Sequence, residues 1–415
     1  MNETRTHKIA NPVETQNGLT SPSAEISALR KDDFDRDVWC LMGLPIDIAD
    51  IDRTVGMIED SARSGKRLSF ITPNVNFLVR ASKDKKARAE LLNADLSVID
   101  GAPLVKMAKM LGLPVSSRVA GSDVFEALRR RPSFGGRKLK VFFFGGRDGA
   151  AEQATNTLNA ENRGVEAVGW INPGFGDVES MSTDAIIEEI NATNPDFVMV
   201  ALGAAKGQAW IEFNRDRLNA PVTAHLGAVV DFTAGGIERA PEWVQRSGLE
   251  WLWRIKEEPA LWRRYFDDGL ALAKIVTTDF AKQMTGAKEP AGEGMATAEP
   301  QDAAGNIVVR LSGVLTRHNL RGVREAFRQA VSASHDRGAK AIILDFAELE
   351  AVDRAFLGQL LMLEKNLMET PVVLQIAGAR RSLQSLLRSN NMNYRLVNAR
   401  ELKILDKLPV QQIAS

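Results

Sequence analysis

Short apolar runs alternate with amphipathic stretches between residues 38 and about 235. Strands that alternate with helices in this way predict a Rossmann-like α/β domain over residues 38–240, with a parallel sheet covered by helices. The predicted strands are VWCLMGLPI, RLSFIT, LSVID, KVFFFGG, VEAVGW, DFVMVALG and VTAHLGAV. The predicted helices include residues 84–93, 102–111, 148–160 and 182–193.

The pattern changes twice after this domain. Residues 241–284 have a helical pattern and hold four of the seven tryptophans, which predicts a helical appendage. Residues 285–305 are dominated by Gly, Ala, Pro, Thr and Glu without an apolar period, which predicts a linker. Strand and helix patterns then alternate again and predict a small α/β domain over residues 306–405.

The N-terminal residues 1–37 are polar and lack the continuous apolar core of a signal peptide, so they predict a disordered tail. Elsewhere, no apolar run approaches the roughly 20 residues that span a bilayer. We therefore expect a cytoplasmic protein, either soluble or peripheral on the inner face of the cytoplasmic membrane.

Composition narrows the candidate chemistry. Lys+Arg and Asp+Glu are balanced at 53 each in 415 residues, which removes the basic excess typical of nucleic-acid binding. Cys40 is the single cysteine and the four histidines are scattered, so the sequence has no metal-ligand spacing and no internal disulfide. We expect no nucleic acid, no metal and no cofactor.

Polar and glycine-rich clusters follow several predicted strands. In open parallel sheets, ligands bind where the carboxyl ends of the strands meet helix N-termini. Glycine turns that enter helices also let backbone N–H groups approach a phosphate, although each such turn taken alone is more often structural. Neither FGGRDG nor LGAAKG is a dinucleotide-binding or P-loop fingerprint. The clusters contain Thr72, Asn74, Asp100, Gly145, Gly146, Gly203, Lys206 and Gln208.

The order of these motifs carries a resemblance. The segments TPN, VIDG, SRVAGSD, FFGG, NPGF, PDFVMVALG, DFTAGGIERAPEW and GLEWLWR occur in this order. Over about residues 38–270 the chain resembles the WecG/TagA/CpsF family of bacterial glycosyltransferases. The resemblance implies inverting, metal-independent transfer of a sugar from a UDP-sugar to a polyprenyl-pyrophosphate-linked acceptor in exopolysaccharide or cell-envelope polysaccharide synthesis.

The resemblance also implies roles for residues. Asp100 matches the general base that inversion requires, although an Asp before a Gly is also a common turn or helix-start residue. Thr72 and Asn74 match pocket residues, and capping of the following helix is the structural alternative. Asp231 and Arg239 flank a glycine-rich loop, where they either contact the donor or form an internal ion pair.

Two cations are suited to the charge of a diphosphate. Arg118 matches a pocket position in the family, and a guanidinium binds donor phosphates or an acceptor pyrophosphate well. Together with Lys206 and the glycine turns, it would supply the positive charge that a leaving UDP needs.

One segment departs from the family pattern. The family usually shows Leu-Gly-x-Pro-Lys-Gln-Glu where this chain reads LGAAKGQ, so Gly207 stands at the position of a pocket glutamine and Gln208 follows it. Three interpretations are open: altered specificity, substitution by Gln208, or lost activity. The last defines the alternative function, an inactive transferase-like scaffold or regulatory protein.

Aromatic and basic residues are mixed in the predicted appendage. A helix that carries Trp and Arg can lie in a lipid interface, and the family has a C-terminal appendage associated with membrane contact. Ordinary packing of the aromatic rings against the sheet is the alternative. The candidate membrane or acceptor contacts are Trp251, Trp253, Arg254, Trp262, Arg263 and Arg264.

The C-terminal domain has a separate resemblance. NIVVRLSGVLT, AKAIILDFAELEAVDRAFLGQLLML and the order β-β-α-β-α-β-α resemble a STAS domain. The family's phosphorylated serine lies in an Asp-Ser-Ser-Gly turn, but here the turn reads Asp353-Arg354-Ala355-Phe356 and holds no hydroxyl. The domain is then a constitutive module for a protein partner or self-association, or a structural appendage.

Overall fold

The structure is a computed structural model that describes residues 32–236, 240–241, 243–244, 248–285, 290, 292–303 and 305–397. Most of the predicted tail, residues 1–31, lies outside the described residues. For residues 32–37 the prediction of disorder is wrong. Asp33–Asp35 form a 3-10 helix, and Phe34 and Arg36 are buried because they pack against the folded domains.

The first domain and its appendage contain eight strands and a series of helices. The strands are β1 (Val38–Leu41), β2 (Leu44–Asp47), β3 (Leu68–Ile71), β4 (Leu96–Ser97), β5 (Leu139–Gly145), β6 (Val165–Ile171), β7 (Phe197–Ala201) and β8 (Val222–His225). The helices are α1 (Ile51–Ser64), α2 (Val75–Lys83), α3 (Lys85–Leu92), α4 (Ala102–Met110), α5 (Gly121–Arg130), α6 (Ala150–Glu161), α7 (Asp184–Ala192), α8 (Ala204–Asn214), α9 (Gly227–Thr233), α10 (Glu250–Glu257), α11 (Trp262–Ile275) and α12 (Ala281–Thr285).

The second domain begins earlier than its pattern predicts. Its strands are β9 (Gly294–Ala303), β10 (Asn306–Leu315), β11 (Ala341–Val352), β12 (Val373–Ala377) and β13 (Arg395–Val397). Its helices are α13 (Leu320–Asp336), α14 (Arg354–Leu367) and α15 (Arg381–Ser389). The linker prediction is therefore wrong for residues 294–303, because β9 pairs antiparallel with β10 and backbone pairing does not require an apolar period.

Strands β3–β8 form one parallel sheet in the order β4-β3-β8-β7-β5-β6. The predicted Rossmann-like arrangement is confirmed. Helices α1, α5 and α6 cover one face, and α7 and α8 cover the other, where Trp210 stacks on Phe144 with ring centroids 4.1 Å apart. All carboxyl ends of the parallel strands point to one edge, which positions the site.

Two strand predictions of the first domain need correction. VWCLMGLPI is not a strand of the parallel sheet but the hairpin of β1 and β2, which turns at Met42 and Gly43, where φ is positive in both residues. VTAHLGAV is a strand only as far as His225, and helix α9 begins at Gly227. In both segments an apolar run continues through a turn, so hydrophobicity alone cannot locate the end of the strand.

The hairpin joins the two domains into one hydrophobic core. Its residues pack with α2–α4 of the first domain and with α13 and α14 of the second. Helix α14 is buried along almost its whole length, and it approaches β1 so closely that a β-carbon at Gly358 would overlap the Val38 carbonyl oxygen. The two domains are therefore not separate folding units.

Polar contacts reinforce this junction. Lys365 on α14 lies 2.8 Å from Asp33 and 3.2 Å from Asp95 of the first domain. In the turn where the STAS family carries its serine, Arg354 donates to the Leu111 carbonyl oxygen at 3.2 Å. That turn and α14 are covered by the first domain of the same chain, so a second protein would need another surface of the C-terminal domain.

Candidate functional site

A cavity of about 990 Å³ lies at the carboxyl edge of the six-stranded sheet. Loops after the parallel strands form its floor, and helices α10 and α11 of the appendage form one wall. The fold thus brings together eleven of the residues predicted from sequence: Thr72, Asn74, Asp100, Arg118, Gly146, Gly203, Lys206, Asp231, Trp251, Arg254 and Arg264.

Other predicted residues lie elsewhere. Gly145 packs against Ala201 at the end of β7, and Gln208 is buried on α8, 1% exposed, so neither lines the cavity. Trp253, Trp262 and Arg263 also lie outside the lining. Arg239 falls outside the described residues, so its predicted pairing with Asp231 stays a prediction.

Asp100 is held at the cavity by the backbone that precedes and follows it. Its own N–H donates to the Pro73 carbonyl oxygen at 2.9 Å, which extends the pairing of β4 with β3. Its Oδ1 accepts the Gly101 N–H at 2.7 Å and lies 3.9 Å from Arg118 Nε. Gly101 has a φ of +87°, which turns the chain into α4 and leaves the carboxylate facing the cavity.

The electrostatic environment of Asp100 favours its neutral form. Burial, first of all, and the negative charge of Glu250 raise the pKa of Asp100 to about 7. Arg118 and the Gly101 N–H act in the opposite direction on this pKa. The carboxyl therefore changes protonation near neutral pH, as suits a group that takes up a proton.

Thr72 and Asn74 follow β3 and face the same cavity. The helix-capping alternative for Asn74 is realised, since its Oδ1 accepts the Asn76 N–H at 3.0 Å as the N-cap of α2. Capping and cavity lining are both satisfied, because Asn74 still lines the cavity.

Arg118 is surrounded by three carboxylates. It contacts Glu250 of the appendage, lies 3.3 Å from Asp123 and lies 3.9 Å from Asp100. One cation and three anions leave the cluster with an excess of negative charge when Asp100 is ionised. An anionic ligand at Arg118 would have to displace Glu250 from the guanidinium.

A second cation, Arg147, follows the glycine turn after β5. It contacts Glu258 and lies 3.7 Å from Asp231, while Glu258 also accepts from Arg254. Burial raises the pKa of Asp231, and Arg147 opposes that effect. The appendage therefore supplies one carboxylate to each of two cavity arginines that belong to the first domain, Glu250 to Arg118 and Glu258 to Arg147.

Lys206, on the first turn of α8, is a further cation on the cavity wall. Its Nζ donates to the Gly176 carbonyl oxygen at 2.7 Å, which ties α8 to the loop after β6. The glycine turn and the lysine of LGAAKG thus lie at the cavity, as the sequence predicts.

The appendage docks on the first domain through buried polar contacts. Asp268 on α11 accepts from Asn76 on α2 at 3.1 Å and 3.3 Å. Trp251 of α10 packs against Tyr265 of α11 with ring centroids 6.2 Å apart. Glu250 and Glu258 were missed in the sequence because the first-domain arginines that they contact, Arg118 and Arg147, are more than 100 residues away. Arg147, in contrast, adjoins a glycine turn that already pointed to the site.

This fold and site define an α/β enzyme whose cavity combines a buried carboxyl with several cations at the ends of parallel strands. Residues 39–285 match the model of the glycosyl transferase WecG/TagA/CpsF family, and the chain belongs to that family. It is therefore a glycosyltransferase, as predicted.

Two curated relatives are similar to the first domain and its appendage. An N-acetylglucosaminyldiphosphoundecaprenol N-acetyl-β-D-mannosaminyltransferase of Bacillus spizizenii is 29% identical over 219 residues, 53% of this chain and 81% of the relative. A protein of the same name from Bacillus subtilis is 27% identical over 200 residues, 48% of this chain and 75% of the relative.

The C-terminal domain has its own match. Residues 299–398 match the Mlab, STAS domain model, which confirms the predicted STAS-like fold and includes part of β9. The solved structure of the unphosphorylated anti-sigma factor antagonist SpoIIAA is 18% identical, covers 28% of this chain and 96% of its own, and has a TM-score of 0.21. Among the described residues, no helix is long and apolar enough to span a bilayer.

Proposed function

We propose that this chain transfers a sugar from a UDP-sugar to a polyprenyl-diphosphate-linked acceptor with inversion at the anomeric carbon, in the synthesis of a cell-envelope or extracellular polysaccharide. The carrying observation is the Asp100 carboxyl, which faces the cavity beside Arg118 with a pKa raised to about 7 by burial. The acceptor class is supported by the names of the two relatives.

In the proposed reaction, the oxygen of the acceptor hydroxyl attacks the anomeric carbon while ionised Asp100 takes the proton from that hydroxyl. The bond from that carbon to the UDP oxygen breaks on the opposite face, and UDP leaves with the bonding electron pair. Thr72 and Asn74 lie beside Asp100 and would hydrogen-bond sugar hydroxyls.

The charge of the leaving UDP would be balanced by the cavity cations. Arg118 and Arg147 are held by Glu250 and Glu258, so a diphosphate that enters the cavity would exchange with these two carboxylates. Lys206 and the N–H groups at the start of α8 add positive potential at the same edge. This exchange couples donor binding to the position of the appendage.

The function is tested by transfer. We expect the purified full-length chain to release UDP from UDP-N-acetylmannosamine or UDP-glucose only when a polyprenyl-diphosphate-linked N-acetylglucosamine acceptor is present, with a lipid product heavier by one sugar in mass spectrometry. Donor binding without transfer to this or any polyprenyl-linked acceptor would instead support the scaffold alternative.

Replacing Glu250 with Gln is expected to move the acidic limb of the pH–rate profile to lower pH. Glu250 raises the pKa of Asp100, so removal of its charge lowers that pKa, and the ionised base is then present at lower pH. Initial rates between pH 5 and 9 would measure the shift. Glu257→Gln, on the same helix and outside the cavity lining, is the control, and an unmoved limb in Glu250→Gln would contradict Asp100 as the titrating base.

We also propose that the appendage contacts the membrane surface. Large apolar side chains of α10 and α11 are 42% to 58% exposed rather than packed against the sheet, and Arg263 and Arg264 lie among them. Trp251 is both exposed and part of the cavity wall, so this surface adjoins the site where a lipid-linked acceptor would enter. The exposed apolar residues are Trp251, Leu252, Trp262, Phe266 and Leu270.

Vesicle flotation tests the membrane contact. We expect the double variant Trp262→Ala/Phe266→Ala to bind vesicles containing phosphatidylglycerol about tenfold less tightly than the wild-type chain, because two exposed aromatic rings are lost from the contact. Phe213→Ala removes a ring of similar exposure on α8 and serves as the control. Equal flotation of all three proteins would contradict the proposed contact.

A further inference from the structure

One histidine of the cavity has no role in the chemistry described so far. His225 is the last residue of β8, the strand between β3 and β7 in the sheet, and its side chain lines the cavity. Because β3 and β7 lead to Thr72 and Gly203, His225 lies between the Asp100 side of the cavity and the first turn of α8.

The ring of His225 occupies space that glycine leaves open on α8. A β-carbon at Gly207 would overlap the imidazole Cδ2, so any side chain at position 207 would exclude the ring from its present place. On the other side, a β-carbon at Gly227 would lie 3.3 Å from the imidazole Nε2. Gly207 is also one of the positions at which the sequence departs from the family pattern, and in the structure the space left by the missing side chain is filled by the ring of His225.

The polar atoms of His225 are unsatisfied. Neither ring nitrogen has a hydrogen-bond partner among the described residues, and Nε2 is out of contact with solvent. The carboxamide of Gln208, next to Gly207 in the chain, is also buried and has no hydrogen-bond partner among the described residues. A buried polar atom without a partner destabilises the fold, and a ligand that hydrogen-bonds the imidazole of His225 would remove that penalty.

The charge state of the ring limits what it can bind. Burial, together with the smaller effect of the positive charge of Arg80, lowers the pKa of His225 to about 4, so the imidazole is neutral at pH 7. A neutral imidazole donates or accepts one hydrogen bond but adds no charge against a phosphate. The cavity already has Arg118, Arg147 and Lys206 for phosphate, which leaves the uncharged part of the donor for His225.

We propose that His225 is a specificity-determining residue whose imidazole hydrogen-bonds a neutral polar group, a hydroxyl or acetamido, of the sugar on the nucleotide donor, and that Gly207 provides the room for it. This assignment rests on the proposed donor class. It makes residues 207 and 225 a pair that must change together, because a larger residue at 207 displaces the ring.

Donor binding to the full-length chain tests the first half of the proposal. By calorimetry, His225→Ala is expected to bind the better of UDP-N-acetylmannosamine and UDP-glucose about tenfold more weakly, while its affinity for UDP alone stays within about twofold. His335→Ala, an exposed histidine on α13, is the matched control.

The outcomes separate this assignment from the proposed function. Equal loss of UDP and UDP-sugar affinity would overturn it, since the contact would then be with the nucleotide. Unchanged UDP-sugar affinity in His225→Ala would overturn it while leaving the proposed function standing. No binding of either UDP-sugar by the wild-type chain would contradict both.

The steric pairing is tested by a double-mutant cycle on thermal stability. Gly207→Ala is expected to lower the melting temperature by a few degrees in the wild-type chain, because the new methyl group overlaps the imidazole. In the His225→Ala background, which lacks the ring, the same substitution is expected to have little effect. Equal lowering in both backgrounds would overturn the pairing.

Discussion

Replacing Asp100 with asparagine is expected to lower turnover by about 10²–10⁴-fold while the chain keeps its affinity for the UDP-sugar. Asparagine has nearly the same shape and can still accept the Gly101 N–H, but it cannot take up a proton at neutral pH. Initial rates of UDP release, measured beside donor binding by calorimetry, separate the loss of chemistry from a loss of binding.

The pH dependence of the rate provides a second test of Asp100 as the base. Because burial raises the pKa of Asp100 to about 7, the wild-type rate should rise as the pH increases through 7, and the residual rate of Asp100→Asn should lack this limb. Asp123→Asn is the control, because Asp123 shares Arg118 with Asp100 but lies outside the cavity lining. It should keep near-normal turnover and retain the limb, moved to lower pH because the charge of Asp123 also raises the pKa of Asp100. Near-normal turnover in Asp100→Asn would remove Asp100 from the role of base.

Replacing Gly358 with alanine is expected to destabilise the whole chain by at least about 1–3 kcal/mol, although Gly358 lies far along the chain from the residues that line the cavity. A β-carbon there overlaps the backbone of Val38, and neither the hairpin nor α14 can move away without opening the shared core. The effect is measured as the change in the free energy of unfolding in a urea titration. Vesicle flotation and donor binding of the same variant show whether membrane contact and donor affinity are lost as well.

Gly56→Ala is the matched control for this prediction. Gly56 is also inside a helix, α1, but a β-carbon there meets nothing within 4 Å, so alanine is expected to stabilise the chain by up to about 1 kcal/mol. The two Gly→Ala substitutions should thus have opposite signs. A neutral effect of Gly358→Ala would contradict the close docking of the C-terminal domain.

Two segments of the fold differ in how well their local sequence pattern predicts them. Helix α4 was predicted within one residue of its observed bounds, because its buried positions Leu104, Met107 and Ala108 repeat with the helical period and face one core. Strand β9 was missed because its composition is typical of a linker, and its strand conformation depends on pairing with β10. Local pattern thus predicts elements that bury one face, but not elements held mainly by backbone pairing.

The candidate site shows the same division. Thr72, Asp100 and Lys206 were found because strand ends and turn residues are visible in one segment of sequence, and the topology of a parallel sheet brings such ends together. Gln208 was predicted to be a site residue, but it is buried on α8. Its neighbour Gly207 instead leaves room for the side chain of His225 at the cavity.

By itself, the sequence determined the alternation of strands and helices in the first domain, its parallel α/β architecture and several of the polar residues that follow its strands, because these depend on periodicity and turn chemistry within short segments. Only the tertiary structure decided that the hairpin joins two domains in one core, that Glu250 and Glu258 hold the cavity arginines, and that His225 fits against Gly207. These arrangements depend on contacts between segments far apart in the chain, where packing and charge, rather than local pattern, select the partner.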